Sequence, residues 1–113
     1  MLLAIHGSDK VMENMVNISF PVTEIRGEKA SGSGIATRLG LDGMELQSKD
    51  VPPGRFAWIG FTLPDTGRTV KVLGEIMGIR RDGTIDSITV RFKHLFPNDR
   101  QILSGLISAR AAA

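Results

Sequence analysis

Hydrophobic residues recur with a period of two through most of this chain, and the period changes at Pro97. That switch constrains the fold more than any other feature. Ser87-Ile88-Thr89-Val90-Arg91-Phe92 alternates polar and apolar side chains, the spacing of a strand with one buried face. Ile18-Ser19-Phe20-Pro21-Val22 has the same period, and Pro21 pushes that strand towards an edge. Residues 69–77 return as another strand with Val70, Val72 and Ile76 roughly in phase and a bulge expected at Gly74. In residues 56–63, Phe56 and Trp58 share a face, and with Phe61 they read mainly as core. Beyond Pro97, Ile102, Leu103, Leu106 and Ile107 repeat at about 3.6 residues, a helical stripe. Asn98 is the expected N-cap, with Gln101 three residues later in the capping-box position.

The connections agree with short antiparallel strands. Gly27 to Gly34 reads as a polar, flexible turn, and Val51-Pro52-Pro53-Gly54-Arg55 as a rigid one in which two prolines fix φ. Pro64-Asp65-Thr66-Gly67 is a turn signature, and Arg81-Asp82-Gly83-Thr84 carries the Asp-Gly pair of a hairpin. A strand ending near Thr37 enters a tight loop that leaves through Gly43 into Met44-Glu45-Leu46-Gln47-Ser48. The expected plan is about six short antiparallel strands and one C-terminal helix, with the sheet curled into a small barrel to remove its edges. A chain of 113 residues fits one such core. Residues 1–16 are read as an N-terminal arm, 17–109 as the barrel domain with its helix, and 110–113 as a tail or cloning remnant.

Composition narrows the function classes. There is no cysteine, so thiol catalysis, disulfides and Cys-based metal sites are excluded. A formal charge of +2, with acids and bases interleaved, gives no footprint for nucleic acid. No apolar run approaches the ~18 residues that span a bilayer, and Met1-Leu2-Leu3-Ala4-Ile5 lacks the basic start and cleavage site of a signal peptide. A cytoplasmic location is expected. His6 and His94 lie far apart with no further ligands at a metal-binding spacing. Ser31-Gly32-Ser33-Gly34 lacks the lysine and the strand–loop–helix setting of a phosphate loop. No nucleophile has a base beside it in a recognisable motif, so no enzyme is expected.

The order of elements from Ile18 to Ile107 resembles the PilZ domain, a bacterial receptor module for cyclic di-GMP. The resemblance rests on Phe20-Pro21-Val22, the loop closing on Gly43-Met44-Glu45-Leu46, the strand from Phe56 to Pro64, Gly74-Glu75-Ile76, and Ile88-Thr89-Val90-Arg91-Phe92 before the helix. It implies an all-β fold with one C-terminal helix, a small six-stranded antiparallel barrel.

The resemblance also implies two ligand-gripping elements, an R-x-x-x-R arm before the first strand and a [D/N]-x-S-x-x-G loop between the second and third. Arginine forks bind phosphate or a guanine edge bidentately, and the loop's small residues admit the ligand to the backbone. The loop falls on Arg38-Leu39-Gly40-Leu41-Asp42-Gly43, where only Gly43 matches. Arg38 replaces an acceptor with a donor, and Gly40 removes the serine hydroxyl. Asp42 is the loop's one acid and reads first as turn chemistry. Residues 1–25 hold no arginine, and the arm's best stand-ins are Lys10 and Asn14. Each charge-assisted hydrogen bond lost is worth about 1.5–3 kcal/mol, so tight binding of cyclic di-GMP is not expected. The expected role is a regulatory adaptor in bacterial motility (pilus or gliding control) acting on a protein partner, with Trp58 and Phe61 as candidate partner-surface residues. The alternative is a cyclic di-GMP receptor whose anion contacts come from Lys10, Arg26 or Arg38.

Overall fold

The computed structural model describes residues 15–26, 29–49, 54–63 and 66–112. The arm residues Lys10 and Asn14, His6, and the Val51-Pro52-Pro53 and Pro64-Asp65 segments lie outside the described residues. Six strands form a closed barrel: β1 (Val16–Arg26), β2 (Lys29–Leu39), β3 (Gly43–Ser48), β4 (Phe56–Thr62), β5 (Thr69–Asp82) and β6 (Ile85–Leu95). Their order around the barrel is β1-β2-β3-β6-β5-β4, antiparallel throughout. Pairing of β1 with β4, from Val22↔Phe61 to Ile25↔Trp58, closes it. One helix, α1 (Pro97–Ala112), follows.

Alternation along each strand decides what is inside. Phe20, Val22, Ala36, Met44, Leu46, Ile59, Phe61, Val70, Val72, Ile88 and Val90 point inward and are buried. Phe20 and Phe61 stack with ring centroids 5.3 Å apart across the closing seam. The helix seals the core by inserting Leu103 and Leu106. Asp99 in its first turn is buried and receives the Arg68 Nε–H at 2.9 Å, which ties the helix start to the β4–β5 turn. An acid there also complements the helix dipole.

Several sequence expectations change. Pro21 does not mark an edge, because the barrel has none. It stands where β1–β4 pairing begins at Val22, so its missing N–H costs that ladder nothing. Gly32, Ser33 and Gly34 are not a flexible turn but part of β2, opposite Glu24, Thr23 and Val22. A Cβ on Gly34 would lie 2.7 Å from the Gln47 carbonyl oxygen, so glycine there serves close strand approach. The helix begins at Pro97, whose fixed φ and absent N–H suit the first helical position, so Asn98 is inside the helix and not its cap. The helix runs on through Ala112, so residues 110–112 form its last turn. The hairpin between β5 and β6 turns on Gly83-Thr84, with Gly83 at φ 69°.

Gly74 adjoins a register shift, but the extra residue is Lys93 on β6; a second shift places Met77 as the extra residue on β5. Gly74 itself is buried, and a Cβ there would collide with Cγ1 of Val90. Gly78, two turns of the pleat further on, has open space around it. We predict that Gly74→Ala destabilises the protein by about 1–3 kcal/mol through overpacking, and that Gly78→Ala stays within about 0.5 kcal/mol of wild type. Urea denaturation of both variants checks this; equal midpoints would contradict it.

Candidate functional site

The loop that should carry the ligand motif is a backbone-anchored corner. Leu39 and Met44, on either side of it, are fully buried and pull both ends into the core. The Gly40 N–H donates to the Gly43 carbonyl at 2.9 Å, and the Asp42 carbonyl accepts the Phe92 N–H at 2.8 Å. Gly40 and Gly43 are buried, Leu41 is half-buried, and Asp42 is exposed.

Gly40, Asp42 and Gly43 form this corner, and Arg38 precedes it at the end of β2. Arg38 sits in the last turn of the β2 pleat, opposite Glu45 on β3 and Asn17 on β1. Directly opposed unlike charges favour the pairing of these strands. The Asp42 carboxylate lies 3.8 Å from the Arg100 guanidinium at the start of α1, with both side chains largely exposed. Such a contact contributes little. Between the loop and the helix lies an open groove lined by Leu41, Pro97, Arg100, Gln101 and Ser104.

The most developed polar cluster was not legible as a site in the sequence. Arg91 is the register partner of Gly43 on one side and of Glu75 on the other. Glu75 is buried, with one oxygen accepting from Arg91 at 2.5 Å and the other from Arg55 at 2.6–2.7 Å. The only sequence signal was an acid in an otherwise apolar stretch, Val72-Leu73-Gly74-Glu75-Ile76; its partners lie 16 and 20 residues away and meet it through barrel register alone. The Arg91 hydrogen bond holds the Glu75 carboxyl below its ordinary value of 4.5, with the hydrogen bond and charge of Arg55 adding to it and burial opposing.

The partner-surface candidates separate. Phe61 is inside the barrel, 3% exposed, and cannot face a partner. The inward parity of β4 belongs to Ala57, Ile59 and Phe61, which leaves Phe56 and Trp58 outside rather than in the core. Trp58 is joined there by His94 from the end of β6. His94 packs edge-on to Trp58, centroids 6.4 Å apart, and to Phe96 at 4.9 Å. Among the described residues no helix is long and apolar enough to cross a membrane.

No family model matches the chain, and no curated protein matches it in sequence. Solved structures do match in fold. The Bacillus subtilis inhibitor of motility MotI/DgrA superposes with a TM-score of 0.73 at 15% identity over 87% of this chain. The match spans about half of that protein, 49% of its length. The PilZ domain of YcgR from Escherichia coli, solved with c-di-GMP, superposes with a TM-score of 0.65 at 16% identity, covering 87% of this chain and 88% of that one. The chain thus has a PilZ-like fold, a six-stranded antiparallel barrel with a C-terminal helix.

Because the Glu75 carboxyl is depressed in the folded state, its contribution to stability is fully present above its ordinary value and is lost as pH falls through the lower, folded-state value. Glu75→Gln removes that contribution at neutral pH. We predict that the stability gap between wild type and Glu75→Gln, measured by urea denaturation, is widest near neutral pH and narrows in acid. A gap independent of pH would refute the assignment.

Proposed function

We propose that the protein is a non-catalytic, PilZ-like regulatory domain of the bacterial cytoplasm that acts through protein contacts, in motility control, and that it binds cyclic di-GMP weakly or not at all. The observation that carries this reading is the make-up of the loop over 38–43. Its Gly40 N–H and Gly43 carbonyl bond to each other, its Asp42 carbonyl accepts from Phe92 on β6, and its one carboxylate turns towards Arg100. Where the family's loop would offer an acceptor for guanine, Arg38 offers a donor opposite Glu45. The motility connection is supported by the fold shared with an inhibitor of motility.

A second reading is favoured by one specific observation. Arg91 stands directly across from Gly43, so a basic residue lies on the strand beside the loop even though the family's arm residues are replaced by Lys10 and Asn14. A receptor using Arg91, Arg38 or Arg26 in place of the usual arm would exploit it, and a domain of the same fold, that of YcgR, is known with c-di-GMP. Arg91 is already committed to Glu75, which weighs against that use.

Titration of cyclic di-GMP into the isotope-labelled protein separates the two. The expected result is no saturable amide shift at micromolar ligand. Saturable micromolar shifts centred on Arg38, Gly43 and Arg91 would establish the receptor reading instead.

A further inference from the structure

Closure of the barrel exposes a set of large side chains on three adjacent strands. On β4 the outward residues are Phe56 and Trp58; Trp58 is the register partner of Leu73 on β5, and Leu73 of His94 on β6. Phe96, just past β6, extends the row through its contact with His94. Phe56 and Phe96 are 49% and 50% exposed, half of each ring being open to water on a face that no described element covers. Neighbouring strands lie about 4.8 Å apart, so these side chains stand next to one another across the outer wall of the barrel. Exposed aromatics gathered in this way mark interaction surfaces, whereas isolated ones do not.

The row is framed by positive charge. The Lys71 ammonium lies 5.0 Å from the Trp58 ring centroid, and the Arg55 guanidinium 5.5 Å from that of Phe56. Residues 55–58, 71–75 and 91–96 hold four basic side chains (Arg55, Lys71, Arg91, Lys93) against one acid, Glu75, whereas the whole chain has fourteen against twelve. That one acid is buried and fully engaged. The exposed charge of this face is therefore cationic, while its exposed area is apolar.

We propose that this face docks an acidic, apolar segment of a partner protein, with aliphatic side chains on the Trp58–Leu73–His94–Phe96 row and carboxylates on Lys71. The proposal deepens the protein-contact reading above and rests on it. A single-stranded nucleic acid also seeks cations and aromatic rings, but it needs open ring faces for base stacking. Here Lys71 covers Trp58 and Arg55 covers Phe56, so a base would have to displace the cation that attracts its phosphate. A carboxylate meets the same cation from outside and leaves the ring contact in place.

The chain has a single tryptophan, so its indole N–H reports on this face without ambiguity. Three probes are titrated into the isotope-labelled full chain: a short peptide of alternating Glu and Leu, its Lys-Leu counterpart, and a short oligothymidylate. The Glu-Leu peptide is expected to shift the Trp58 indole and the Leu73 and His94 amides saturably, and the Lys-Leu peptide is not. Lys71→Glu, on an exposed side chain, and Phe96→Ser are each expected to weaken that binding about tenfold while leaving the amide spectrum of the free protein folded. No saturable shift, tighter binding of the oligothymidylate, or unchanged affinity in both variants would overturn the proposal. Saturable shifts confined to the Leu41–Ser104 groove would overturn this surface and leave the protein-contact reading standing. Saturation by cyclic di-GMP with no response to either peptide would overturn both.

Discussion

The pairing of β1 with β4 is the constraint on which the rest of the structure depends. Without it the sheet would be a six-stranded ribbon with two exposed edges and two faces. With it there is one interior, and each strand can bury only one parity of its residues. The seam needs close approach: a Cβ on Gly60 would stand 2.9 Å from Cδ1 of Ile25. Glycine at that position lets β4 lie against β1, and the Phe20–Phe61 stack then fills the space behind it. Once Ala57, Ile59 and Phe61 are committed inward, Phe56 and Trp58 have nowhere to go but out.

That dependence explains what the sequence could and could not reveal. The strands and the helix were legible because period two and period 3.6 are local properties, and Ser87 to Phe92 or Ile102 to Ile107 carry them without help from neighbours. The barrel followed from the number of strands and the need to remove edges. What local pattern does not encode is which parity wins when both are apolar. In Phe56-Ala57-Trp58-Ile59-Gly60-Phe61 both parities carry large apolar residues, and the barrel takes Ala57, Ile59 and Phe61 inside while Phe56 and Trp58 go out. Composition misled in a similar way at Gly32-Ser33-Gly34. A glycine-serine run looks like a linker, but here small residues are what strand approach at Gln47 demands.

The candidate site was legible only as a location. Residues 40–42 connect β2 to β3, a connection legible from Gly40 and Gly43. Its role as a corner depends on hydrogen bonds to Phe92 and on burial of Leu39 and Met44, and these are properties of the closed barrel. The Arg55–Glu75–Arg91 cluster is less visible still. Its members come from the start of β4, the middle of β5 and the far half of β6, and two register shifts between β5 and β6 set which residues stand opposite one another. Sequence reasoning without the register has no means of assembling it.

Glu75 also links the loop to the aromatic face. A buried carboxylate between two arginines is costly unless both partners are held, since removing either leaves charge uncompensated in a poorly solvated place. Arg91 reaches it from beside Gly43, and Arg55 reaches it while lying over Phe56. Arg91, the register partner of Gly43, and Arg55, which lies over Phe56, are thus both held to the barrel wall by one acid. An anion arriving at the loop would have to compete with Glu75 for Arg91, at close range and against a partner already buried. A carboxylate arriving at the aromatic row faces no such competition from Lys71, whose contact is with the Trp58 ring. The same buried acid that holds Arg91 against an anion arriving at the loop makes no hydrogen bond to Lys71, whose ammonium stands over Trp58 on the neighbouring face.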